Sequence, residues 1–112
     1  MTPEDELAFQ LTAAGIPYER EFKAIPGRRF RWDFRLSGTR ILLEVNGGTW
    51  TKGGHSTGIG IQRDYTKAQL AACEGWIHVP FSSTDVRNGT ALDVICKMLL
   101  TSPQNDTVTN GR

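Results

Sequence analysis

The apolar positions of this chain change period several times, and each change marks an element. Behind Thr2-Pro3-Glu4-Asp5-Glu6, the residues Leu7, Leu11 and Ala14 recur at helical spacing, and Gly15 and Pro17 close the run. A threonine that can cap, a proline suited to the first turn and acids at the positive end of the helix dipole predict a helix over about residues 3–14. The period then drops to two. Tyr18, Arg20, Phe22 and Ala24 alternate with Glu19, Glu21 and Lys23, which predicts a half-exposed strand. After the turn at Pro26-Gly27, a second strand is expected from about Arg29 to Leu36. Phe30, Trp32, Phe34 and Leu36 share one face of it, and Arg29, Arg31, Asp33 and Arg35 the other. Ser37-Gly38-Thr39 turns the chain into a third strand, about Arg40 to Asn46, with Ile41, Leu43 and Val45 opposite Leu42, Glu44 and Asn46. Three strands on short turns predict an antiparallel meander.

Residues 47–60, rich in glycine, read as a long loop carrying Trp50, Lys52 and His55. Helical spacing resumes over about Ile61 to Cys73, where Ile61, Tyr65, Ala68 and Ala72 form the apolar stripe and Gly75 ends the helix. Trp76 to Phe81 is a further strand. Its place after a helix predicts a crossover that lays it parallel to the third strand. Gly89 to Thr101 is a last helix with Leu92, Ile95, Cys96 and Leu99 as its buried face. The order is α-β-β-β-α-β-α: one mixed sheet flanked by helices, in the α/β (α+β) class. The pattern predicts a single domain over residues 1–101 and a polar, flexible tail over residues 102–112.

Composition narrows this picture. The chain has 112 residues, 38% hydrophobic and 22% charged, enough for one modest core. The N-terminus lacks the apolar stretch of a signal peptide, and no apolar run reaches membrane-spanning length. Cys73 and Cys96 have no metal-ligand spacing; they read as small buried hydrophobes in a reducing, cytoplasmic setting. A net charge of +1 gives no global attraction to nucleic acid. The local balance differs: seven basic residues lie between Arg20 and Arg40 against Glu21 and Asp33 alone. Such a stripe can bind phosphates.

Asp33 and Glu44 interrupt their strands on the faces opposite the large apolar side chains. Paired through the short turn, the two carboxylates can approach each other and share a cation. Mg²⁺ accepts such carboxylate oxygens together with water, and can neutralise charge on a phosphate. The plainer reading is two surface acids, with Asp33 paired to Arg31 or Arg35; composition alone favours it, since acids on exposed strand faces are common. Asn46 lies on the Glu44 face and can position a water, but it cannot act as a base. Asp64 and Lys67 share a face of the second helix, as a solvated ion pair or as functional groups. Trp32, Trp76 and His78 read as structural.

The runs Arg29-Phe30-Arg31-Trp32-Asp33-Phe34, Leu43-Glu44-Val45-Asn46-Gly47-Gly48-Thr49-Trp50, Gly53-Gly54-His55-Ser56-Thr57-Gly58-Ile59-Gly60, Asp64-Tyr65-Thr66-Lys67 and Gly75-Trp76 together resemble the PD-(D/E)XK nuclease superfamily. They are most similar to its small phage-type endonuclease domains. The resemblance covers about residues 5–100 and implies a restriction-endonuclease-like αβββαβ core, here with an added C-terminal helix. It implies a DNA endonuclease dependent on Mg²⁺ or Mn²⁺, structure-specific or nicking, with Asp33, Glu44 and the Val45 backbone carbonyl as metal ligands. Asn46 stands where the superfamily lysine usually sits. Some branches bring a lysine from the following helix, which makes Lys67 the candidate and Lys52 a weaker one. The catalytic set implied is therefore Asp33, Glu44, Asn46 and Lys67, with Glu6 and Asp64 as additional acids. Arg28, Arg29, Arg31, Arg35, Lys52 and His55 are the expected DNA contacts. Two alternatives stand beside this: a catalytically silent DNA-binding module, and a subunit of a phage recombination or packaging complex. A homodimer would suit a branched-DNA substrate, and a phage protein partner would suit the second alternative.

Overall fold

The structure, a computed structural model, describes residues 1–46 and 58–101. The elements are α1 (Pro3–Ala13), β1 (Tyr18–Phe22), β2 (Trp32–Leu36), β3 (Ile41–Asn46), α2 (Gly58–Cys73), β4 (Ile77–Ser82), α3 (Ser83–Arg87) and α4 (Thr90–Thr101). The strands form one sheet in the order β1-β2-β3-β4. β1, β2 and β3 make the antiparallel meander, and β4 returns parallel to β3 after α2. The expected mixed α+β architecture is therefore present, with helices on both faces of the sheet.

Local chemistry sets the boundaries. The Thr2 hydroxyl accepts the Asp5 amide at 3.0 Å and starts α1. Gly15, at φ 74°, lets the chain leave α1 in the left-handed region. Ser82 caps α3 through a reciprocal box with Asp85, 3.0 Å in each direction. This five-residue helix was not expected, because one turn is too short to show a period. The Arg40 guanidinium holds the far end of α2: it donates to the Gly75 and Glu74 carbonyls and lies 4.0 Å over the Trp76 ring.

Two cores cover the two faces. The larger joins Leu7, Ala8 and Leu11 of α1, Phe34, Leu36, Ile41, Leu43, Val45 and Phe81 of the sheet, and Val86, Ala91 and Ile95 of α3 and α4. The smaller joins Ile25, Trp32, Leu42 and Ala71, with Phe22, Phe30, Leu70 and Trp76 packed around it. Leu42 and Leu43 are adjacent and point to opposite faces, so Trp32 and Phe34 also lie on opposite faces. The even alternation expected along the second strand is thus broken at Asp33. The first strand turns over at the same level: Tyr18 belongs to the larger core and Phe22 to the smaller, with Glu21 between them at φ 53°. A left-handed glutamate costs about 1–2 kcal/mol, so neighbouring contacts must hold it there.

Three further expectations are corrected. β2 begins at Trp32, leaving residues 29–31 outside the sheet. α2 begins at Gly58 and turns Lys67, Leu70 and Ala71 inward, while Ile61, Tyr65 and Ala72 are exposed. A charged residue can occupy the inner face because its ammonium lies over the Trp32 ring and is paired with Glu44. Cys73 and Cys96 are both exposed. Cys96 follows the fully buried Ile95, and a helix turns about 100° between neighbours.

Candidate active site

The break at Asp33 builds the site. Phe34 and Leu43 are partners across β2 and β3, and Arg35 pairs with Leu42; the ladder stops there. One step further, the Asp33 side chain replaces the backbone acceptor: its Oδ2 takes the Val45 N–H at 2.7 Å. The carboxylate is thereby fixed to β3 by a charge-assisted bond, and its second oxygen remains as an acceptor. A strand residue sends its N–H and C=O to the same edge, so the Val45 carbonyl also faces the gap where β2 has left β3.

Glu44 precedes Val45 on β3 and points to the α2 side. Lys67, reaching down from α2, places its Nζ 2.7 Å from Glu44 Oε1 and 2.8 Å from the Arg31 carbonyl oxygen. The same Nζ lies 4.8 Å from the centre of the Trp32 ring. The Lys67 side chain is 9% exposed and that of Glu44 is 23% exposed. An ammonium has three N–H groups. Two are directed to Glu44 and Arg31, and among the described residues the third meets no acceptor.

Electrostatically, this is a crowded acidic place. Burial raises Asp33 above the ordinary carboxylate range; the Val45 amide opposes that, and the charges of Glu44, Glu4 and Glu21 add to it. Glu44 is also raised, first by burial, with the hydrogen bond and charge of Lys67 opposing and Asp64 and Glu21 adding. The lysine thus only partly offsets the cost of holding these carboxylates together. Among the described residues no three acids, histidines or cysteines converge closely enough to hold an ion by themselves. The donor set is two hard carboxylates and a carbonyl, which fits a divalent ion that keeps part of its water shell. Both raised carboxylates would be relieved by its charge.

A pocket opens in front of Glu44 and Lys67. Among the described residues it is lined also by Asn46, Asp64, Tyr65, Ala68, His78 and Pro80. Glu44, Asn46, Asp64 and Lys67 are therefore brought to one pocket, while Asp33 is not among its lining residues and is held next to it by the Val45 amide. Lys52 and His55 lie outside the described residues. From α1, Glu4 rather than Glu6 is the acid whose charge reaches Asp33. Its position two residues earlier, in a capping sequence, gave no sign of that. His78 was read as structural, and its Nδ1 does accept the Trp32 indole N–H at 2.8 Å, tying β2 to β4 over Leu42. The same imidazole lines the pocket, and burial, with Lys67 nearby, lowers its pKa.

The arginines separate. Arg28 lies 5.6 Å over the Phe30 ring, and Arg29 and Arg31 line a groove beside Lys67. Arg35 is committed elsewhere: it donates to the Thr39 carbonyl at 3.0 Å, pairs with Glu19 at 3.5 Å, and lies over the Phe22 and Trp76 rings.

No family model matches the chain, and no curated protein matches it. Among solved structures it is similar to the catalytic domain of the homing endonuclease I-Bth0305I, with a TM-score of 0.69 and 17% identity. The match covers 91% of this chain and 96% of that one, so the two share a fold over nearly their whole lengths.

Proposed function

We propose that this chain is an endonuclease that hydrolyses DNA phosphodiester bonds with Mg²⁺ or Mn²⁺. The observation that carries the reading is Lys67. A nearly buried ammonium is held 2.7 Å from Glu44 and by the Arg31 carbonyl, and the Glu44 charge reaches a second raised carboxylate, Asp33. The shared fold with a homing endonuclease catalytic domain supports the same reading. So does the spacing of Asp33, Glu44 and the glycine-rich stretch after it, the pattern of the PD-(D/E)XK superfamily.

Asp33, Glu44 and the Val45 carbonyl would hold the ion, which supplies positive charge and Lewis acidity at the phosphate. The protein's own groups do the rest. Lys67 directs its third N–H at a phosphate oxygen or at the attacking water, and takes the lysine role that Asn46 cannot fill. Asn46, on the pocket wall, hydrogen-bonds that water or the substrate. The water oxygen adds to phosphorus, the bond to the departing oxygen breaks, and solvent takes one proton and returns another.

A subunit of a phage recombination or packaging complex, needing a partner for activity, is an alternative that full activity of the isolated chain would remove; a catalytically silent DNA-binding module is motivated by the missing lysine at Asn46. Lys67 beside Glu44 weakens that motive. Purified protein should cut plasmid or oligonucleotide DNA with Mg²⁺ or Mn²⁺ and not with EDTA, and Asp33→Asn and Glu44→Gln should each abolish cutting with the fold retained. Asp33→Asn is preferred to alanine because it keeps an acceptor for the Val45 amide. Unchanged cleavage by either variant would defeat the proposal.

A further inference from the structure

Lys67 is the wall between two depressions. On one side is the pocket with Glu44, Asn46 and His78; on the other is a groove of about 400 Å³ lined by Arg29, Phe30, Arg31 and Arg63. Clefts of about 300–1,000 Å³ take small ligands. The groove exists because the chain leaves the sheet before Trp32 and crosses the start of α2. This places residues 29–31 against Arg63, one helical turn before Lys67. Part of its charge is uncompensated: of the four basic residues on its walls only Arg31 and Lys67 are paired among the described residues. Arg20 has Asp5, Arg31 has Glu21 at 4.0 Å, Arg35 has Glu19 and Lys67 has Glu44. Arg29 and Arg63 have no carboxylate partner among the described residues. Phe30 packs on the smaller core and has the Arg28 guanidinium 5.6 Å over its ring, yet stays part-exposed where it lines the groove, so a base reaching it would share or displace that guanidinium.

We propose that this groove binds one unpaired DNA nucleotide next to the cleaved bond, its base against Phe30 and its phosphate held by Arg29 and Arg63. The inference rests on the phosphodiesterase reading and adds a substrate class to it. An aromatic ring among guanidinium groups is what a single strand needs, since every base has a face to stack and every linkage a charge to neutralise. A base inside a continuous duplex is already stacked and cannot reach Phe30. The preferred substrate is then a single strand, or a duplex opened at a flap, fork or junction.

The test is fluorescence anisotropy in EDTA, with a labelled single-stranded oligonucleotide and the same sequence as blunt duplex. Wild-type protein should bind the single strand about tenfold more tightly. Phe30→Leu should lose about tenfold on the single strand and little on the duplex, and Phe30→Trp should restore binding. Arg63→Ala, an exposed change that does not depend on how Phe30 packs, should flatten the plot of log affinity against log salt by about 0.7. A wild-type preference for duplex overturns the inference. So does wild-type single-strand binding by both Phe30→Leu and Arg63→Ala, with cleavage still dependent on Glu44; that result leaves the nuclease reading standing. No binding and no cleavage of any DNA by the wild type would remove both.

Discussion

Lys67 with its partner Glu44, and Asp33 beside Val45, set opposing demands on the fold. Removing one partner of a fully buried ion pair costs about 3–5 kcal/mol; with Glu44 partly open to water, a smaller loss is expected. Lys67→Met keeps an unbranched stem and should lower stability by about 1–3 kcal/mol in urea unfolding. It should also slow cleavage by about 10²-fold. Asp33 gives the opposite sign. A carboxylate whose pKa is raised by folding holds its proton more tightly in the folded chain. Its contribution favours folding below the unfolded value, about 3.9, and is lost as pH rises through the folded value. At pH 7 the ionised group therefore weighs against the fold. Without metal, Asp33→Asn should melt at a higher temperature than wild type at pH 7, and the gap should close as pH falls toward 4. Adding Mn²⁺ should raise the melting temperature of the wild type and not of the variant. A variant that melts lower at pH 7 and gains as much from Mn²⁺ would contradict both the burial argument and the metal assignment.

At the level of elements, the sheet and the crossover were legible because each rests on a period and a turn residue. Gly15, Gly38 and Gly75 all take positive φ where the chain was expected to turn. The inner face of α2 was not legible. A count of apolar letters favours Ile61, Tyr65, Ala68 and Ala72, and it cannot credit Lys67 with a partner that only the fold supplies. The reversal at Asp33 was hidden for a related reason: alternation assumes an unbroken ladder, and here a side chain replaces a rung. Arg40 shows the same limit. It stood in the basic stripe, yet it fastens the end of α2 to β3 through the Glu74 and Gly75 carbonyls and Trp76. Arg40→Ala should cost about 1–2 kcal/mol in thermal or urea unfolding, and DNA cleavage below the melting range should remain at the wild-type rate.

For the whole molecule, the order α-β-β-β-α-β-α was readable and a short α3 was added to it. Among the described residues no helix is long and apolar enough to cross a membrane. The net charge of +1 was a poor guide to where a polyanion would sit, because sorting the arginines by partner needed coordinates. Arg20, Arg35 and Arg40 serve the fold, while Arg28, Arg29, Arg31 and Arg63 remain beside the site. With four such contacts, the plot of log affinity against log salt for single-stranded DNA should be no steeper than about −3. A much steeper slope in a salt titration would mean that the stretch containing Lys52, or another surface, also carries phosphate.

Lys67 sits on the crossover helix, and both of its partners sit in the meander. Residues 18–46 pair over connections of nine and four residues, whereas β4 and the docking of α2 require contacts from farther along the chain, such as Trp32 with His78. Local pairings close early and distant ones late. The two carboxylates are therefore brought together before the ammonium that neutralises one of them arrives, and the growing sheet must tolerate that repulsion. Lys67→Met should then leave the refolding rate nearly unchanged and speed unfolding instead, which the two arms of a stopped-flow chevron would separate.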